Sequence, residues 1–378
     1  MLIHQVTAKI MPETAHDRDL ALDFTKGVLI ILVIVGHLIQ YILYRNEGFW
    51  DSAIFKWIYM FHMPLFMGIS GYLSCRALLE KSFIQAMGDR AMQLLVPMLF
   101  WFSLLATLKL TMFPRPASAP DNVLKFLNDF AGTYWFVWAA FICFLLAKTI
   151  SIFNHSSPWA LFVSVILVVL APLTFSIFPL IKYTYPFFCL GFSFAMWRER
   201  WTSIMRSHRP FLAMSVTIAA MMCFAIWGKD TYVYNNLALV QDLQSAKNVL
   251  LMFLGSAAVS AVMIKVLLRS WNIGRSNRGV RFIAAKLGPC TLVLYLIQGT
   301  VFRLMDSIQY GESWDATMRS AAAAFLGTMI VAVALTVRWA VRDIPYLSQL
   351  VLGVPPRSLS GSQINQDALA NHRSLRGL

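Results

Sequence analysis

The sequence predicts an all-α protein, a polytopic integral membrane helix bundle of about ten transmembrane helices with both termini cytoplasmic. Three observations carry that expectation. Of 378 residues, 58% are hydrophobic and only 13% charged, with mean hydropathy +0.63, whereas a soluble domain carries about a quarter charged residues. The apolar residues gather in runs close to the ~20 that a helix needs to cross a bilayer. Lysine and arginine between the runs fall in alternate loops, as they do when basic loops stay on the cytoplasmic side.

The runs occupy, in order, residues 24–44, 54–79, 92–113, 134–153, 159–175, 179–197, 211–227, 249–268, 287–304 and 321–341. The run 179–197 is the least apolar, because it carries Lys182 and Pro186. If it forms one re-entrant element with the run before it, the count falls and the C-terminal half inverts. Arg76, Lys81 and Arg90 follow the second run, Arg198, Arg200, Arg206 and Arg209 the sixth, and Arg269, Arg275, Arg278, Arg281 and Lys286 the eighth. Arg342, Arg357, Arg373 and Arg376 follow the tenth, while an intervening loop holds Asp306, Glu312 and Asp315. This alternation demands an even number of spans.

Residues 1–23 read as a cytoplasmic N-terminal segment with no removable signal peptide, since no charged-then-apolar leader ends in a small-residue cleavage site. Residues 24–345 form one transmembrane domain. Residues 346–378, rich in Ser, Asn, Pro and Arg, read as a disordered basic cytoplasmic tail. The net charge of +14 is spread between apolar segments rather than gathered on one face, which argues for membrane lipid and against nucleic acid. The five cysteines show no CxxC or CxxH spacing, so no metal site and no disulfide framework is indicated.

Chemistry enters with Asp23-Phe24-Thr25-Lys26-Gly27 and with His37 in the apolar run that follows. Eleven residues separate Lys26 from His37, so on a helix they differ by only ~20° in direction and lie ~16 Å apart along the axis. Asp23 returns to within about 40° of His37. Lys26 and Asp23 then sit at the membrane rim while His37 reaches towards the middle, and an ionisable residue at that depth marks a functional site. In the second run, FHMPLFMGISGYL places His62, Pro64, Gly68, Ser70, Gly71 and Tyr72 within a few turns. The proline frees a backbone carbonyl and the glycines allow close helix contact, as in a kinked helix deep in a bundle. His62 is either a partner in the site or a histidine bonded across to a neighbouring helix.

These residues also carry a family resemblance. The pattern resembles the membrane-bound acyltransferase-3 family, multi-pass enzymes that O-acylate sugars of bacterial polysaccharides and glycolipids. That family's arginine-x10-histidine in the first helix reads Lys26-x10-His37 here, which is similar to the fucose-4-O-acetylase-like branch with its DFxKG and FHMPLFxxISGY. The resemblance continues through RAMQLLVPMLF from Arg90, through Tyr134-Trp135-Phe136, and through Tyr185-Pro186-Phe187-Phe188-Cys189-Leu190-Gly191. It ends on Leu287-Gly288-Pro289-Cys290-Thr291-Leu292 with Tyr295-Leu296-Ile297-Gln298. Where the family usually ends that last stretch in histidine, this chain has Gln298, an amide that could orient an acceptor hydroxyl. Lys26 supplies a cation but not the bidentate fork of arginine.

The resemblance implies a bacterial inner-membrane O-acyltransferase moving an acetyl group from acetyl-CoA to a sugar hydroxyl. The acceptor would be an exopolysaccharide, an O-antigen or a lipid-linked oligosaccharide. It implies no bound cofactor, acetyl-CoA being a substrate, and polysaccharide assembly proteins as neighbours. His37 then reads as general base, with a covalent acyl-imidazole as the other variant, and His62 as its catalytic companion. Asp23, Lys26 and Arg90 read as acyl-donor contacts on the cytoplasmic side, although ordinary positive-inside topology would also account for Arg90 and Lys81. Tyr134, Trp135 and Gln298 read as acceptor contacts, although the two aromatics would also suit an interfacial belt. From residues alone, a glycolipid or polysaccharide transporter or flippase with His37 and His62 as a proton relay stays open.

Overall fold

The computed structural model describes residues 19–45, 47–112, 128–153, 157–173, 176–207, 209–232, 243–306 and 314–354. Among the described residues every regular element is helical and there is no strand. The long helices are α1 (Leu20–Leu38), α2 (Ala53–Glu80), α3 (Phe83–Met112) and α4 (Trp135–Phe153) in the first half. They continue with α5 (Pro158–Leu170), α6 (Phe178–Met196), the short α7 (Arg198–Ser207), α8 (Arg209–Ile226) and α9 (Leu243–Gly274). The chain closes with α10 (Arg278–Phe282), α11 (Thr291–Met305), α12 (Ala316–Val341) and α13 (Leu347–Leu352).

Each of the ten apolar runs falls on one of these helices. Six helical stretches are long and apolar enough to cross a membrane: Leu20–Leu43, Phe83–Met112, Trp135–Ile152, Leu243–Gly274, Arg278–Met305 and Ala316–Val341. Two apolar helices, Pro158–Leu170 and Pro210–Ile226, are shorter. The remaining pair, α2 and α6, have length but carry polar residues along the faces they bury, including His62, Ser74, Lys182 and Thr184. Peripheral helices expose Phe162 and Leu167 on α5, Met221 and Met222 on α8, and Phe325 on α12. Apolar area of that kind suits lipid rather than water, and the chain is a multi-pass membrane protein.

The local signals explain the boundaries. Asp19 caps α1 by accepting from the Ala21 and Leu22 amides at 3.0 and 3.1 Å, so the helix begins ahead of the apolar run and takes Asp23 inside it. After His37 the helix widens into a π turn, Ile39–Leu43, a feature that tends to mark functional positions. Ser52 caps α2 and Asp315 caps α12. Pro64, Pro97 and Pro186 lie inside α2, α3 and α6, each of which runs on past its proline.

The most extensive helix pairing joins α2 to α6. Its closeness needs glycine, because a Cβ at Gly71 would strike the Phe188 carbonyl and one at Gly191 the Gly68 carbonyl. Backbone therefore lies on backbone, as small-residue faces permit in membranes. The C-terminal end of α2 is closed by Lys148 of α4, whose buried ammonium donates to the Leu78 and Lys81 carbonyls at 2.7 and 2.6 Å. A cation at a helix C-terminus satisfies carbonyls that have no intrahelical partner.

One boundary differs from expectation. Residues 346–354 belong to the stretch that composition assigns to a disordered tail, yet α13 packs there on α3, with Ser348, Val351 and Leu352 buried. The indole of Trp101 donates to the Val351 carbonyl at 3.2 Å. A short apolar group, Leu350 to Leu352, is enough to hold the chain down once a partner groove exists. Residues 1–18 and 355–378, the latter with Arg357, Arg373 and Arg376, lie outside the described residues, as does Glu312.

Candidate functional site

Three adjoining cavities follow the bundle interior. The first, about 320 Å³, is lined by Lys26 and Ile30 of α1, Ser70 and Leu73 of α2, Arg90 and Gln93 of α3, and Ala140 of α4. A small junction cavity of about 30 Å³ is bordered by His37, Tyr59, His62, Met63 and Trp135, with Tyr183, Trp227 and Tyr232 also in its wall. The last, about 600 Å³, is lined by His37, Gln40, Tyr41, Trp50, Trp135, Gln298, Phe302 and Arg303, among others. Along α1 the step from Lys26 to His37 is ~16 Å, so the cation cavity and the aromatic cavity lie at different depths with the histidines between them.

His37 and His62 therefore border one cavity. Their protonation follows from their partners. The Nδ1 of His62 lies 2.8 Å from the Ile58 carbonyl, which can only accept, so Nδ1 carries the hydrogen and Nε2 is left with a lone pair. That Nε2 is buried and has no hydrogen-bond partner among the described residues. The Nδ1 of His37 lies 3.3 Å from Oε1 of Gln298. With the amide oxygen accepting, His37 too presents Nε2 as the basic atom. Rings hold both in place: Tyr59 meets His62 edge-on at 4.5 Å, and Phe302 and Tyr41 flank His37 at 5.4 and 6.0 Å.

At the other end Lys26 pairs with Asp23 at 2.8 Å, and Asp23 is buried. Arg90 lies over the Phe144 ring at 4.9 Å, donates to Gln93 Oε1 at 2.9 Å and also donates to Ser74. Among the described residues no carboxylate pairs with Arg90, so its charge can meet an anion in the cavity it lines. Lys81 pairs instead with Asp89 at 2.6 Å, exposed, and lines none of these cavities.

The acceptor candidates separate. Trp135 lines both the junction and the aromatic cavity, and Gln298 lines the aromatic cavity while holding His37. Tyr134 does not join them. It is fully buried with its hydroxyl 2.7 Å from Thr300 Oγ1, because it stands in the turn just ahead of α4 and packs against α11. Several lining residues carry no motif signal, among them Tyr59, Trp227 and Tyr232. For Phe302 a signal exists, since Tyr295, Gln298 and Phe302 recur at helical spacing on one face of α11.

The fold and the two imidazoles define a membrane protein with a polar interior cavity, and comparison identifies its class. A family model described as an acyltransferase domain, acyltransferase family 3, matches residues 19–337; the chain belongs to that family and is an acyltransferase. Among its relatives is Nodulation protein NolL of Mesorhizobium japonicum (strain LMG 29417 / CECT 9101 / MAFF 303099), 50% identical over 363 residues, covering 93% of this chain and 95% of the relative. Nodulation protein NolL of Sinorhizobium fredii (strain NBRC 101917 / NGR234) is 51% identical over 344 residues, covering 91% and 94%. No solved structure matches the chain.

Proposed function

We propose that the protein transfers an acetyl group from acetyl-CoA to a sugar hydroxyl, with His37 as general base, in the bacterial inner membrane. The observation that carries this reading is the shared cavity of the two imidazoles, set between a cation-lined cavity and an aromatic-lined one. In this scheme Lys26 and Arg90 meet the phosphates of the donor, and Asp23 positions Lys26. Trp135 and Gln298 face the sugar. His37 Nε2 takes the hydroxyl proton as the sugar oxygen attacks the acyl carbon. The acyl carbon–sulfur bond then breaks, and the proton passes to the departing CoA thiolate. His62, through its own Nε2, accepts a hydrogen bond from the acceptor.

The acceptor we favour is an exopolysaccharide, an O-antigen or a lipid-linked oligosaccharide. Two relatives named as nodulation proteins direct the search to glycans that a bacterium makes in association with a plant host. Ten passes with both termini cytoplasmic suit the order of the cavities, since α1, α3 and α11 all begin on the Lys26 side while α2 and α4 begin on the other. That parity supports an even count with the donor cavity facing the cytoplasm.

The test is transfer of isotope-labelled acetyl from acetyl-CoA to glycan by the protein in membranes, read by mass spectrometry. Labelled glycan with wild type and none with H37A supports the reading. Unlabelled glycan that crosses the membrane only when the protein is present would replace it with the flippase.

A further inference from the structure

Very few side chains border both the cation cavity and the cavities of the histidines. Among the described residues only Met63 lines both the Lys26/Arg90 cavity and the junction cavity, and only Tyr295 lines both the Lys26/Arg90 cavity and the aromatic cavity. The tyrosine half of this partition is tethered. Its hydroxyl accepts from the Phe136 amide at 3.2 Å, and its ring packs against Phe136 at 5.8 Å, which in turn meets Phe66 edge-on at 5.8 Å. Met63 is different. It is unbranched, 7% exposed, follows His62 in the chain, and a methionine side chain adapts its shape to what lies beside it.

We propose that Met63 sets the length of the acyl group that the enzyme transfers. The inference rests on the acyl-transfer reading above. With Tyr295 tethered, a thioester anchored by its phosphates at Lys26 and Arg90 reaches His37 Nε2 past Met63, and its acyl chain then lies in the junction cavity. That space is about 30 Å³, roughly twice the ~10–15 Å³ of open space that a cavity needs to hold one water. Its walls are fixed: His62 is held by Ile58, Tyr183 by Ser256 at 2.7 Å, and Tyr59 by stacking on Phe55 at 3.9 Å. A two-carbon acyl group suits such a space, and each added methylene must displace a side chain. Leu180, Met252 and Met63 also line it, and of the two adaptable methionines only Met63 also borders the Lys26/Arg90 cavity, so its volume decides how much chain is admitted from that side.

The experiment uses membranes of a producing strain whose own copy is deleted and which is complemented with wild type, M63A or M63V. Acetyl-CoA, propionyl-CoA, butyryl-CoA and hexanoyl-CoA are supplied in turn, and the acyl groups on the strain's extracted glycans are counted by mass spectrometry. Wild type is expected to transfer acetyl strongly over butyryl. M63A should raise the butyryl-to-acetyl ratio about tenfold or more, and M63V, which removes less volume, should raise it by less. Should M63A fail to accumulate, the ratio in M63V decides. An unchanged ratio in a variant that still transfers acetyl overturns the role of Met63 and leaves acyl transfer standing. Wild-type protein that transfers from none of the four donors overturns both.

Discussion

The two large cavities of this bundle are built from different chemistry at different depths. The cavity of Lys26 and Arg90 is lined by two cations among mostly aliphatic side chains, with Phe66, Phe136 and Tyr295, and among the described residues one charge is paired with a carboxylate while the other is not. The cavity of Gln298 is lined by aromatic rings, amides and a single arginine, with Tyr41 stacked on Phe302 at 5.2 Å. Cations suit a phosphate-bearing donor, and rings with amides suit a sugar. On the proposed reading, the contrast keeps recognition of the two substrates apart and brings only the reacting atoms together, at the histidines.

The strongest way to break that picture is at the meeting point. H37A should lower acyl transfer by roughly 10²- to 10⁴-fold, the usual worth of a positioned base. Its amount in the membrane should hold, because losing a polar group does not impair insertion. Normal turnover in that variant would remove the base and leave two unconnected binding cavities.

Each cavity then has its own test. Lys26→Glu should raise the apparent KM for acetyl-CoA about tenfold or more by repelling phosphate, leaving acceptor KM little changed, whereas Lys26→Arg should keep substantial activity. A donor KM that does not move in Lys26→Glu would take Lys26 out of the donor cavity and leave a topology signal. Gln298→Leu should cost turnover about tenfold, since it strands His37 Nδ1–H and frees the ring to turn; a buried donor left unpaired costs ~1–3 kcal/mol. Donor KM should stay put, and Gln298→His, which offers a ring nitrogen in place of the amide oxygen, should retain more turnover than the leucine variant. Equal losses in both would mean that Gln298 packs rather than positions.

The smallest effect is expected one residue away from the site. Tyr134→Phe removes the bond to Thr300 and should cost about 1 kcal/mol of stability, read as a modest fall in melting temperature, with acceptor KM unchanged. Trp135→Ala should raise acceptor KM instead. If the two variants behaved alike, the division between ring packing at Tyr134 and ring exposure at Trp135 would be lost.

Much of this is legible in the chain before any fold. The ten apolar runs coincide with helices because hydrocarbon tolerates no unpaired backbone, so length and apolarity alone dictate helix. Lys26 and His37 border interior cavities from one face of α1, as their eleven-residue spacing requires. His62, Arg90, Trp135 and Gln298 all belong to motifs, and all line a cavity in the bundle interior. The spacing rule has a reach of one helix, however. It cannot tell Tyr134 from Trp135, since both stand at the head of α4 and only the position of α11 decides which ring is buried.

What composition and spacing determine about this protein is therefore a helical membrane bundle and the residues able to do chemistry within it. Which of those residues meet is a tertiary matter. The Gln298 amide reaches His37 across 261 positions of sequence, and His62 keeps a bare Nε2 because, among the described residues, no neighbouring helix supplies a donor there. Met63 becomes a partition because α2 places it between two cavities that other helices complete, and α13 is held down because α3 offers it a groove. Periodicity is a property of one helix, fixed by 3.6 residues per turn; a cavity is a property of several, fixed by which faces close packing leaves apart.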